Sequence, residues 1–149
     1  MSAARDLKLP IVQGLARDIK ILLGGVSSVR ITSDGYMPLC VEMIGTDYKG
    51  DQLVSLCHYG EQNGDAMRDP DIVYEIQSHE SGDLALPTSF RNDYAGLNQE
   101  VFDYGADGKP TGVRAKLQKE LIAFSATWFK NLNEQGFFGP EAKREILQA

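Results

Sequence analysis

Ile11, Leu15, Ile19 and Leu22 recur at spacings of three and four, the period that lines side chains along one face of an α-helix. The stripe predicts a helix over residues 9–25. Pro10 suits its first turn, where a missing N–H has no partner to lose. Gly24-Gly25 ends it, and Arg17, Asp18 and Lys20 fall mostly on the other face. A second stripe, Val113, Leu117, Leu121, Phe124, Trp128 and Leu132, predicts a longer helix that stops at Gly136. Each large side chain buried along it contributes about 1.5–3 kcal/mol. Gly139-Pro140-Glu141 then predicts a short terminal helix through Ile146-Leu147.

Between the helices the period changes to two. Ser28 to Thr32 reads as a short strand before the turn Ser33-Asp34-Gly35, and Leu39, Val41 and Met43 alternate within a strand from Met37 to Ile44. Gly45 to Asp51 reads as a hairpin connection to a strand from Gln52 to Tyr59. That connection is too short for a crossover helix, so the two strands are antiparallel neighbours. Ile72, Tyr74 and Ile76 mark another strand, Leu84 to Pro87 a shorter extended piece, and Gln99 to Tyr104 a last strand. Ser89 to Gly96 reads as a loop, and Gly105 to Pro110 as a break. Helix, strands, helix is an α+β layout. It predicts an antiparallel meander sheet of four or five strands packed against the N-terminal and C-terminal helices. No linker or repeat divides the chain, so residues 1–149 are expected to form one domain.

The net charge of −6 and pI near 4.9 argue against a basic nucleic-acid footprint and suit docking onto a basic protein surface. Cys40 and Cys57 lack metal-site spacing and read as free core thiols. The N-terminus has no signal-peptide core, and no apolar run approaches a membrane span, so a cytoplasmic location is expected.

Candidate chemistry concentrates in the run from His58 to Asp71, where His58, Glu61, Asn63, Asp65, Arg68, Asp69 and Asp71 surround two glycines and a proline. Its oxygen-rich set suits Mg²⁺ or Mn²⁺, yet it matches neither an EF-hand loop nor a HExxH helix. The structural alternative makes Asn63-Gly64-Asp65 one turn and Asp69-Pro70-Asp71 another, with His58 bonded to a backbone carbonyl or a carboxylate. A second cluster, Arg91, Asn92, Asp93 and Tyr94, offers a binding surface for an acidic group or an Arg that pairs with the acids of the first cluster. Cys57 and His58 are adjacent on a strand and so point to opposite faces, which excludes a nucleophile–base pair. Trp128 and Phe137-Phe138 read as core and capping contacts. No cofactor is called for, and whether a metal binds is left open.

Several motifs together carry a family resemblance: Met37-Pro38-Leu39; Leu56-Cys57-His58-Tyr59-Gly60-Glu61-Gln62-Asn63-Gly64-Asp65; Met67-Arg68-Asp69-Pro70; Phe90-Arg91-Asn92-Asp93-Tyr94-Ala95-Gly96; Gln99-Glu100-Val101; Thr127 to Leu132; and Glu134-Gln135-Gly136-Phe137. The chain resembles a bacterial domain family of unknown function met in proteins of plasmids, integrative elements and phages. The resemblance spans about residues 36–138, leaving the N-terminal helix outside. It implies no chemistry, but does imply a mobile-element setting.

Composition and setting together lead to an accessory protein that acts by binding a protein partner, in its sharpest form an anti-defence inhibitor of a CRISPR-type effector complex. The rival is a metal-dependent hydrolase or nucleic-acid-processing enzyme using His58, Glu61, Asp65 and Asp69. A third expectation is a dimeric scaffold joined at a sheet edge or at Phe137-Phe138. The sequence leaves the oligomeric state open.

Overall fold

The computed structural model describes residues 3–149, with side chains described from Leu9 onward. The first helix, α1, runs Ala3–Leu23. Five strands follow in meander order: β1 (Ser28–Thr32), β2 (Leu39–Thr46), β3 (Gln52–Gln62), β4 (Asp65–Gln77) and β5 (Leu84–Asn92). Then come β6 (Leu97–Glu100), the short pair β7 (Phe102–Tyr104) and β8 (Pro110–Val113), helix α2 (Ala115–Glu134) and a terminal strand β9 (Lys143–Gln148).

The fold is α+β. The main sheet has seven antiparallel strands in the order β6-β5-β4-β3-β2-β1-β9, and β7-β8 forms a separate ribbon. This exceeds the four or five strands expected, and two segments differ from the predicted elements. The predicted strand Gln99–Tyr104 divides at Val101, which is fully buried, into β6 and β7 of different sheets. The predicted terminal helix is instead β9, an edge strand paired with β1 from Ser28↔Gln148 to Thr32↔Lys143. The local sequence Lys143-Arg144-Glu145-Ile146-Leu147-Gln148 favours helix weakly. The open edge of β1 supplies a backbone ladder that overrides it.

Both helices cover one face of the sheet. Leu15, Ile19 and Leu22 of α1 and Trp128, Phe129 and Leu132 of α2 share a core with Val29, Ile31, Leu39, Val41, Val54, Leu56, Ile72 and Tyr74. Those strand residues occupy alternate positions and so lie on one face. The Tyr74 hydroxyl lies 2.7 Å from Ser125 Oγ inside this core.

Three further expectations are corrected. Pro10 lies well inside α1, because the helix begins earlier, at Ala3. The buried face of α2 is Leu121, Ile122, Ser125, Trp128, Phe129 and Leu132. Val113 belongs to β8, and Phe124 sits at the exposed margin with its ring edge-on to Phe90 at 5.6 Å. The segment 89–96 is no plain loop, since Ser89 to Arg91 pair with both β4 and β6, and Asn92 pairs with β6.

Candidate functional site

Asn63 and Gly64 both adopt positive φ, 53° and 84°, which gives the two-residue turn that suits strand twist. The polar run is therefore the tip of the β3–β4 hairpin. Asn63-Gly64 supplies the turn as expected. Asp69-Pro70-Asp71 does not, because it lies within β4, with a cis Asp69–Pro70 bond. Beyond Tyr59, whose N–H still donates to the Pro38 carbonyl at 3.1 Å, the tip outruns β2, since Gly60 to Gln62 pair only with Asp65 to Met67.

His58 takes no part in the polar cluster's surface. It is buried, with its ring 5.6 Å from Trp128 and 5.4 Å from Phe137. Its Nδ1–H donates to the carbonyls of Met37 at 3.1 Å and Pro38 at 3.4 Å. Burial holds its pKa below the ordinary value, against the opposing pull of the two carbonyls and of Asp69. Cys57 points the other way. It is a free, buried thiol whose pKa burial and then Asp71 push up to about 12, far from nucleophilic character.

The two polar clusters do meet. Asp93 Oδ2 accepts the Arg68 backbone N–H at 2.8 Å, and Asp93 Oδ1 accepts Arg91 Nε–H at 2.9 Å. The Asp93 N–H donates to the Arg68 carbonyl at 2.8 Å. Asn92 Nδ2 donates to Asp69 Oδ1 at 2.7 Å, and Asn92 Oδ1 accepts the Ala95 N–H at 3.1 Å. Arg68 also reaches Asp71 at 4.0 Å and Asp93 at 3.6 Å. The Tyr94 hydroxyl donates to the Glu61 carbonyl at 3.3 Å. Bonds from the Arg68 N–H and then Arg91 hold the Asp93 carboxyl below its usual range. Asp71 shifts upward, because burial outweighs its bond from Ser55 Oγ and the nearby Arg68 and Arg91.

These bonds join the β3–β4 and β5–β6 hairpins, but not through the expected pairing: Arg91 is held by Asp93 of its own cluster, and the links between the hairpins are Arg68 to Asp93 and Asn92 to Asp69. They also decide what the set can do chemically. His58 faces the core, Asp69 and Asp93 are held by Asn92 and Arg91, and Glu61 and Asp65 stand exposed at the tip. His58, Glu61, Asp65 and Asp69 therefore do not aim at one point, as a hydrolytic centre requires. What they build is a braced projection whose exposed residues run from Glu61 to Ala66, beside exposed Tyr94 and Leu97.

Two features escaped sequence reasoning. On the sheet face away from the helices, direct partners form the row Arg30↔Cys40↔Cys57↔Asp71↔Arg91. Strand register creates this row, and single residues in alternating strands give no sign of it. The other is a trio, Asp47, Asp51 and Glu75, gathered beside Lys49. Asp47 and Asp51 read simply as turn residues, and Glu75 joins them only because Leu53 pairs with it.

An antiparallel sheet with two helices on one face makes this an α+β protein. Residues 11–138 match the domain of unknown function DUF6908, and the chain belongs to that family. The match begins inside α1, so the N-terminal helix is largely part of the family domain rather than outside it. No curated protein and no solved structure matches the chain. Among the described residues, no helix is long and apolar enough to cross a membrane.

Proposed function

We propose that this protein acts by binding another protein, and that the two stapled hairpin tips are its contact surface. The observation that carries this reading is the way Arg68, Asp69, Arg91, Asn92, Asp93 and Tyr94 are spent on bracing. Their bonds hold out an exposed acidic tip, Glu61 and Asp65, next to the exposed rings and side chains of Tyr94 and Leu97. A pre-ordered projection loses little freedom on association. Aromatic and acidic residues side by side suit a partner with a basic, partly apolar surface.

The net charge of −6 supports the same partner chemistry. In its finer form the reading makes the protein a cytoplasmic accessory factor of plasmids, integrative elements or phages. Its sharpest form is an anti-defence inhibitor that occupies a basic nucleic-acid channel of a host effector complex. The acidic tip and the mobile-element resemblance of the motifs support that form.

The test is affinity capture from bacterial host extract with the parent chain and with Glu61→Lys/Asp65→Lys. Both substitutions lie at exposed positions, so the variant is expected to keep the parent's melting temperature. The expected result is a partner retained by the parent and lost by the variant. Identical capture by both removes the hairpin tip from the account.

A further inference from the structure

Away from the hairpin tips, the β2–β3 turn brings Asp47 and Asp51 against Glu75 of β4. One carboxylate oxygen from each lies within 4.8 Å of the others. Asp47 Oδ1 accepts the backbone N–H groups of Lys49 and Asp51, both at 2.9 Å. Asp47 Oδ2 is buried and has no hydrogen-bond partner. The side chains of Asp47 and Glu75 are only 9% and 8% exposed. Burying carboxylates so deeply demands compensating charge.

The structure supplies part of it. Lys49 Nζ lies 2.7 Å from Glu75 Oε1, 3.2 Å from Asp51 Oδ2 and 3.9 Å from Asp47 Oδ2. The last separation is too long for a hydrogen bond. One ammonium set against three carboxylates leaves a net charge of −2 (three negative, one positive). Lys49 is also 40% exposed, and its Nζ already sits 5.7 Å from the centroid of the Tyr48 ring. It can leave the acids and keep a favourable contact over that ring.

We propose that Asp47, Asp51 and Glu75 form a divalent-cation site and that Lys49 is its built-in competitor, displaced when the ion enters. The donors are all carboxylate oxygens, which select a hard cation of the calcium, magnesium or manganese class. Oxygens that share one calcium ion lie up to about 4.6–5.2 Å apart, twice the metal–oxygen distance, and the three here fall inside that limit, within 4.8 Å of one another. The ion satisfies Asp47 Oδ2, which Lys49 does not. The site stands apart from the hairpin tips and does not depend on the protein-binding reading.

Tyr48, Phe102 and Tyr104 line the small cavity of about 100 Å³ beside the trio, so terbium luminescence excited through tyrosine reads occupancy directly. The experiment titrates Tb³⁺ into metal-stripped parent, Lys49→Met and Glu75→Gln, and then displaces it with Ca²⁺ and Mn²⁺. The expected result is a saturable signal in the parent that Ca²⁺ or Mn²⁺ chases. Affinity should rise about tenfold in Lys49→Met, a shift of roughly 1.4 kcal/mol, and the signal should be lost in Glu75→Gln. No saturable signal in either the folded parent or folded Lys49→Met overturns the proposal, as does a signal that Glu75→Gln leaves unchanged. If either variant fails to fold, the half-exposed Asp51→Asn decides the matter: weakened binding supports the site, and unchanged binding overturns it.

Discussion

Arg68 and Asp93 are bound reciprocally. The Arg68 N–H donates to Asp93 Oδ2 at 2.8 Å, and the Asp93 N–H donates to the Arg68 carbonyl at 2.8 Å. Two residues 25 positions apart are thereby fixed together where β4 runs past the end of β5. The sign of the pH effect follows from the lowered pKa of Asp93. A carboxyl held below its unfolded value contributes stability that is present above about pH 4 and lost as pH falls through the folded value. Asp93→Asn is expected to lower the melting temperature at neutral pH and to flatten the most acidic part of the stability curve. Thermal unfolding between neutral and acid pH checks this.

His58 governs a different pH range. Its folded pKa is lowered by burial, so its contribution is full above about pH 6.5 and falls as pH drops toward the folded value. His58→Phe keeps a ring between Trp128 and Phe137 but removes the titrating group and its carbonyl bonds. Urea unfolding is expected to show a weaker dependence on pH below about 6.5 in the variant than in the parent. An equal slope in both leaves His58 out of the acid response.

The core pair Tyr74 and Ser125 allows a sharper energetic test. Tyr74 is fully buried, and its hydroxyl lies 2.7 Å from a fully buried Ser125 Oγ. Tyr74→Phe leaves that oxygen without its partner and is expected to cost about 1–3 kcal/mol, with a smaller added cost from Ser125→Ala in the same background. A double-mutant cycle by denaturant unfolding measures the coupling.

Gly60 has a steric role at the tip. A Cβ there would clash with the Tyr94 hydroxyl and lies 3.1 Å from Met37 Sδ. Tyr94 is exposed and free to swing away, so Gly60→Ala is expected to fold, at a cost of about 1 kcal/mol or less. It should also break the Tyr94–Glu61 bond. Tyr94→Phe is then expected to be silent in the Gly60→Ala background but not in the parent.

Much of this architecture is legible in the residues. The α1 stripe through Leu15, Ile19 and Leu22, the Asn63-Gly64 turn and the opposed faces of Cys57 and His58 all follow from local period and turn chemistry. What escapes is whatever depends on distant partners. β9 exists because β1 has an open edge, Asp69-Pro70 stays in the strand because the paired residues Arg68 and Asp71 flank it, and Glu75 meets Asp47 only through strand register. The site residues were visible as a polar run. Their bracing role was decided by Arg68 and Asp93, which no sequence spacing brings together.

The most direct measurement is amide hydrogen exchange on the parent protein, free and in complex with the partner captured by it. Binding through the stapled tips is expected to slow exchange across residues 60–67 and 93–97 while leaving β9 unchanged. Protection confined to β9 or the α1–α2 surface, with the tips exchanging as in the free protein, would contradict the account.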